Sequence, residues 1–361
     1  METLRKIITI EICCIFFLSL FGCNSNSSDS SNAEVKEENS IVTQKKEKET
    51  AETKNESLQD ENSSEDTREK NQHHEMKGLP KTVLDAVETQ KSKYDIDIGV
   101  GIYSLDGEKG YVYNELYPIS GGCTIKAIYA LYVLKECQRI GIDILTYTLT
   151  YEEDMYNDGT GEIKYANYGT EFTIDYLLDR LLVISDNTAY NILVSGFPIS
   201  RFREFLKSIN GQNLGDTLYG DASVEQRKNE WLEIYKYINS NEKYSDYLRN
   251  YLTDNQYCYL TYWMQGSHTF MNKSGWSDTL NYTCACDCAI IDNSYLLIVM
   301  TQDYNTGIPH FDTVEAIGAS VEEYISSNGG KLFWFHVLTT ELKFRFCGFF
   351  KIICFIKNFL L

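Results

Sequence analysis

The sequence predicts a mixed α/β domain of the α+β kind. An antiparallel sheet of about five strands comes from both ends of the domain, helices flank it, and a separate helical lobe comes from the middle. Three observations predict this. Ile96, Ile98, Val100 and Ile102 alternate with Asp97, Gly99 and Gly101 near the start. Strand signals resume only near the far end, at residues 270–273, 282–291 and 295–302. The text between is helical in character, led by an apolar run from Cys123 to Ile140.

The elements follow in order. Pro80 stands where a helix begins, because its fixed φ suits a first turn, and Val83, Leu84 and Val87 share one face. The alternation from Ile96 to Ile102 predicts a strand with one buried face. Residues 105–110 form a turn, and residues 111–114 return as a second strand. The run from Cys123 through Ile128, Leu131, Leu134 and Cys137 is apolar almost all round, which predicts a helix buried in the core. Only its first turn can offer polar groups to a cleft. Helical segments continue to about residue 254. Asp292-Asn293-Ser294 joins the last two strands as a hairpin turn, and Val314, Ile317, Val321 and Ile325 mark a closing amphipathic helix. A cleft between sheet and helical lobe is the expected ligand site.

Composition bounds the rest. Residues 1–23 read as an export signal, with Arg5 and Lys6 ahead of an apolar core over residues 7–21. Leu20-Phe21-Gly22-Cys23 resembles a bacterial lipobox, which implies lipidation at Cys23 and a protein held on the outer face of the cytoplasmic membrane, or otherwise secreted. Residues 24–77 are rich in Ser, Asn, Glu and Lys without aromatics, so they form a disordered tether, and His73-His74 belongs to its composition. The globular domain spans residues 78–328. The net charge of −19 lacks the basic footprint of a nucleic-acid partner. Eleven cysteines are present. Cys284, Cys286 and Cys288 alternate along one strand face, about 6.5 to 7 Å apart, at the edge of disulfide reach, and read as small buried hydrophobes. Cys137 and Cys258 pair only if the fold brings them together. After Gly329-Gly330, residues 331–361 turn aromatic and basic, the composition of a membrane-surface segment or of a non-native extension.

Three polar motifs carry the chemistry. In Cys123-Thr124-Ile125-Lys126, the thiol and the amine are three residues apart and share a helix face. A helix N-terminus and a neighbouring ammonium both favour thiolate over thiol. Ser185-Asp186-Asn187 follows an apolar helix, where Ser185 is a natural cap. Lys273-Ser274-Gly275 lies on a strand, and Gly275 allows close approach to a ligand.

Together, with residues 182–193, 159–164, 173–178 and 315–320 as flanking text, these motifs resemble the S-x-x-K, S-D-N and K-[ST]-G set of class A β-lactamases and penicillin-binding proteins over residues 78–328. The nucleophile position holds Cys123 instead of Ser. The resemblance implies a β-lactamase/transpeptidase-like fold and an acyl-enzyme on Cys123, with Lys126 as its base and Ser185 relaying a proton to the leaving nitrogen. It implies that Asn187 holds the substrate amide, that Lys273 binds its carboxylate, that Ser274 and Gly275 complete the substrate-binding strand, and that the amides of Cys123 and Ser277 meet the oxyanion. It implies β-lactams or peptidoglycan peptides as partners, with no metal, nucleotide or haem cofactor, and a monomer. Class A enzymes carry a deacylating glutamate on a loop after S-D-N. The matching residues 213–222 are shorter and lack it, leaving Asp216 and Asp221 as substitutes. Two rival readings follow from these departures: a catalytically silent muropeptide-binding protein, and a thiol-dependent peptidase or transferase.

Overall fold

A computed structural model describes residues 75–215, 217–260, 268–279, 281–329 and 331–333. The export signal, Cys23 and almost all of the tether lie outside these residues, as do Asp216 and residues 334–361. No helix among the described residues is long and apolar enough to cross a membrane.

The chain opens with β1 (Glu75–Gly78), α1 (Lys81–Tyr94), β2 (Asp97–Ser104), β3 (Lys109–Tyr113) and the short β4 (Ile119–Ser120). A 3-10 turn, Gly122–Thr124, leads into α2 (Ile125–Ile140). The lobe contains β5 (Thr148–Thr150), β6 (Glu171–Thr173), α3 (Ile174–Val183), α4 (Asn187–Gly196), α5 (Ile199–Ser208), β7 (Asp221–Ala222), α6 (Val224–Ile238) and α7 (Ser245–Thr253). The chain then returns to the sheet as β8 (Phe270–Asp278), β9 (Thr283–Ile291) and β10 (Tyr295–Asp303), and closes with α8 (Phe311–Ser327).

The six-stranded sheet runs β1-β3-β2-β10-β9-β8. Its five antiparallel strands are those the sequence predicts. The sixth is a correction: β1 adds to β3 in parallel, so residues 75–77, expected in the tether, already belong to the sheet. At the other end, Leu332 is buried and Phe333 stacks on Tyr111 with ring centroids 5.7 Å apart, so the chain stays against the sheet after α8.

Both faces of the sheet are covered. Val83 and Val87 of α1 and Val314, Ile317 and Val321 of α8 pack on one face with Ile98, Val100, Ile102, Leu297 and Val299. On the other face, Leu296, Ile298, Met300 and the three β9 cysteines join the core of α2, α6 and the lobe. The expectation of one buried face for β2 is thereby corrected. Its glycines face α6, where a Cβ at Gly101 would come within 2.6 Å of Val224. They are small because a helix lies on them, not because water does. Among the described residues, Cys137, Cys258 and the β9 cysteines form no disulfide. The β9–β10 turn takes positive φ at Asp292 (51°) and Asn293 (51°), as a tight hairpin needs.

Candidate active site

The site lies where the turn before α2, the α3–α4 junction and edge strand β8 meet. Gly275 makes the approach possible. A Cβ there would stand 2.5 Å from the Cys123 nitrogen and 2.5 Å from the Gly121 carbonyl. Gly122 answers from the other side: it has φ of 49°, and a Cβ there would lie 2.8 Å from the Trp276 amide nitrogen.

Cys123 is partly exposed, whereas Lys126 is fully buried on the first turn of α2. The Lys126 ammonium donates to the Ser185 carbonyl (2.7 Å), to Ser185 Oγ (3.3 Å) and to Asn187 Oδ1 (2.5 Å). Lys273, also fully buried, donates to Ser185 Oγ at 3.1 Å and to the Ser274 carbonyl at 2.9 Å. With two ammonium groups donating to it, Ser185 Oγ turns its own proton toward the Cys123 sulfur.

Ser185 stands in left-handed backbone, φ 57°. That conformation is unusual for a residue other than glycine and recurs at functional sites. The capping expected of Ser185 falls to its neighbour. Asp186 caps α4 by accepting from the Ala189 amide at 2.9 Å, and its other oxygen accepts from the Glu162 and Ile163 amides at 2.7 and 2.9 Å. This ties residues 159–164 to the site and leaves the Ser185 hydroxyl for the lysines.

The charges set the protonation. Burial alone pushes the Cys123 thiol up, but the charges of Lys126 and Lys273, with hydrogen bonds from Ser185 and Lys126, bring it below its ordinary value. Burial lowers Lys126 against the pull of Cys123. Burial also holds Lys273 down at about 8, with Lys126 adding to that effect and Cys123 and Asp287 opposing it. A lowered thiol beside lowered amines is a site where one proton moves easily between sulfur and nitrogen.

Two expected residues do not enter the cleft as the motif suggested. Ser274 lies on the far face of β8, where its hydroxyl donates to the Tyr257 carbonyl at 2.9 Å opposite Asp287. Ser277 lies against β9, its amide and hydroxyl both turned to the Cys284 sulfur, with Oγ at 3.1 Å. The backbone groups that face the cleft alternate with those that face β9. The carbonyls of Asn272 and Ser274 take donors from outside the sheet, so the Trp276 amide shares their side. Trp276, not Ser277, is the strand partner of the Cys123 amide. Counting by twos from Ser274 would have found it.

Tyr219 is the second residue that sequence reasoning missed. Its hydroxyl donates to Asn187 Oδ1 at 3.3 Å. It comes from the segment in which a water-activating carboxylate was sought. Asp221 of that segment is exposed in β7, paired with Ser120.

Comparison with known proteins agrees with this geometry. The family described as "Beta-lactamase enzyme family" matches residues 80–325. Over 143 residues the chain is 27% identical to β-lactamase BRO-1 of Moraxella catarrhalis, covering 37% of this chain and 45% of that relative, less than half its length. Among solved structures, PBP-A matches with a TM-score of 0.60 at 14% identity, over 70% of this chain and 98% of that one. A β-lactamase from Sphaerobacter thermophilus matches with a TM-score of 0.58 at 17% identity, over 69% and 97%. The TLA-3 extended-spectrum β-lactamase matches with a TM-score of 0.59 at 16% identity, over 68% and 98%. At such identities the structural likeness concerns the fold. The family match spans more than half of the chain, and the chain belongs to the beta-lactamase enzyme family.

Proposed function

We propose that this member of the family reacts with β-lactams, or with the peptidoglycan peptides that share their chemistry, through a thioester on Cys123. The observation that carries this reading is the convergence of Lys126 and Lys273 on Ser185 beside a partly exposed, acidified thiol. With Lys126 in the neutral form that burial favours, the Cys123 proton passes to its amine. The sulfur bonds to the ligand carbonyl carbon, and the developing oxyanion meets the amides of Cys123 and Trp276. The carbon–nitrogen bond then breaks. The leaving nitrogen takes a proton from Ser185, which recovers one from the lysines 3.1 and 3.3 Å from its oxygen. Asn187 receives the ligand's side-chain amide, and Lys273 its carboxylate.

Hydrolysis of the thioester needs a base for water. Residues 211–220 hold no glutamate, and Asp216 is their one carboxylate, which supports slow release. The same feature supports the second reading, a muropeptide-binding protein with a silent thiol. The reading also includes export, with Cys23 as the lipidated N-terminus. In that case Cys23→Ser moves the full-length chain from the membrane to the soluble fraction, and an unchanged membrane fraction removes the anchor.

Intact mass after incubation with benzylpenicillin tests the chemistry. A persistent adduct on the wild type, absent from Cys123→Ala, is the expected outcome. An adduct only on Cys123→Ser favours the silent binder. No adduct on either sinks acyl transfer to β-lactams.

A further inference from the structure

Asn187 Oδ1 is crowded with donors. Lys126 Nζ lies 2.5 Å away, the Tyr219 hydroxyl 3.3 Å and the Cys123 sulfur 3.9 Å. An amide's orientation is decided by such partners. With Oδ1 committed to them, Nδ2 faces the opposite way, toward Gly159, where a Cβ would lie 2.4 Å from it.

Tyr219 is brought there by a pinned segment. The Tyr190 hydroxyl donates to the Leu218 carbonyl at 3.0 Å, and the Tyr219 ring meets Tyr190 edge-on at 5.6 Å. Upstream, Gln212 Oε1 accepts from Arg227 at 2.7 Å, while the Gln212 backbone N–H donates to Glu230 at 2.7 Å. Arg227 and Glu230 form a fully buried ion pair at 2.5 Å. Burial, with the charge of Cys123 and Tyr190 adding to it, raises the phenol well above its ordinary value. At neutral pH the group donates a proton in a hydrogen bond and does not abstract one.

We propose that Tyr219 is a positioning residue: its hydroxyl locks Asn187 with Oδ1 inward and Nδ2 toward the cleft, so Tyr219 serves ligand binding rather than activation of water. Lys126 alone is an inconstant lock, because acyl transfer cycles its proton. The phenol stays a donor throughout. The choice of ligand rests on the acyl-transfer reading above; the geometry does not.

The test is Tyr219→Phe, which keeps the ring that meets Tyr190. Acylation is followed by intact mass with benzylpenicillin and with 6-aminopenicillanic acid, which lacks the side-chain amide carbonyl. The concentration of benzylpenicillin for half-maximal acylation should rise about tenfold, the scale of one hydrogen bond to a ligand-holding group. The rate of adduct loss and the half-maximal concentration for 6-aminopenicillanic acid should not change, and any fall in the maximal rate should be the same for both ligands. An equal rise in half-maximal concentration for both ligands, or faster adduct loss, overturns the proposal. A ligand-free measurement stands beside it. An unlocked Asn187 leaves the Lys126 ammonium without an oriented acceptor, so the midpoint of the pH profile for alkylation of Cys123 by iodoacetamide should move up. If neither protein takes penicillin, the acyl-transfer reading fails and this profile decides; an unmoved midpoint overturns the lock.

Discussion

Cys123 and Cys137 stand at opposite ends of one helical run and behave as different chemical groups. Cys123 sits in the turn before α2, partly exposed, where two lysine charges overcome the cost of burial and lower its thiol. Cys137 is fully buried near the other end of α2, where burial, with Glu136 adding to it, pushes its thiol up to about 12. The peptide dipoles reinforce the contrast, because a helix favours negative charge at its N-terminus and opposes it at its C-terminus. Reactivity here belongs to the position, not to the residue type. The β9 cysteines extend the point. Burial raises Cys286 and Cys288. Cys284 is lowered, first by a hydrogen bond from Cys286, yet at 1% exposure it meets no reagent.

The comparison breaks first on reaction rate. Iodoacetamide at pH 7 should modify Cys123 at least about tenfold faster than Cys137, even after allowing for the lower nucleophilicity of a more acidic thiol. Peptide mapping reads the ratio, and equal rates would mean that the lysines do not activate the thiol. Lys126→Met should erase most of the difference.

A second effect sharpens the role of the cations. Lys273 is charged below about 8 and neutral above it. Raising the pH from 7 to 9 therefore removes the partner of a ligand carboxylate. The benzylpenicillin concentration for half-maximal acylation should rise by up to about tenfold across that range, as the charged fraction falls. The maximal rate should not fall, because rising pH also favours the thiolate. Lys273→Met should show no such rise; a rise that persists in the variant assigns the carboxylate to another group.

The smallest effect concerns the inert cysteine. Cys137→Ala should cost about 1 kcal/mol in urea unfolding, the scale of a small core truncation. Alkylation of Cys123 should be unchanged. A matching loss of Cys123 reactivity would show that the two ends of α2 are coupled.

Much of this was legible beforehand. Alternation marked β2, and runs of strand-forming residues bounded by turn signals marked β3, β8, β9 and β10. The motif residues Cys123, Lys126, Ser185, Asn187, Lys273 and Gly275 come together because the turn before α2, the α3–α4 junction and edge strand β8 meet at one place. Strand β1 escaped notice because Glu75-Met76-Lys77-Gly78 has no apolar alternation, and its place depends on pairing with β3. Asp186 was hidden behind Ser185, since either side chain can cap a helix.

By itself, then, the sequence determined which chemical groups the site contains, their order along the chain and the class of fold, because periodicity and motif spacing are local properties. Only the tertiary structure decided which of them face the cleft. The pairing of β8 with β9 turns Ser274 and Ser277 away and presents the Trp276 amide. The buried Arg227–Glu230 pair steers a distant segment until Tyr219 meets Asn187. Strand parity is set by the neighbouring strand, and a loop's reach by what pins it, so neither is written in the residues it positions.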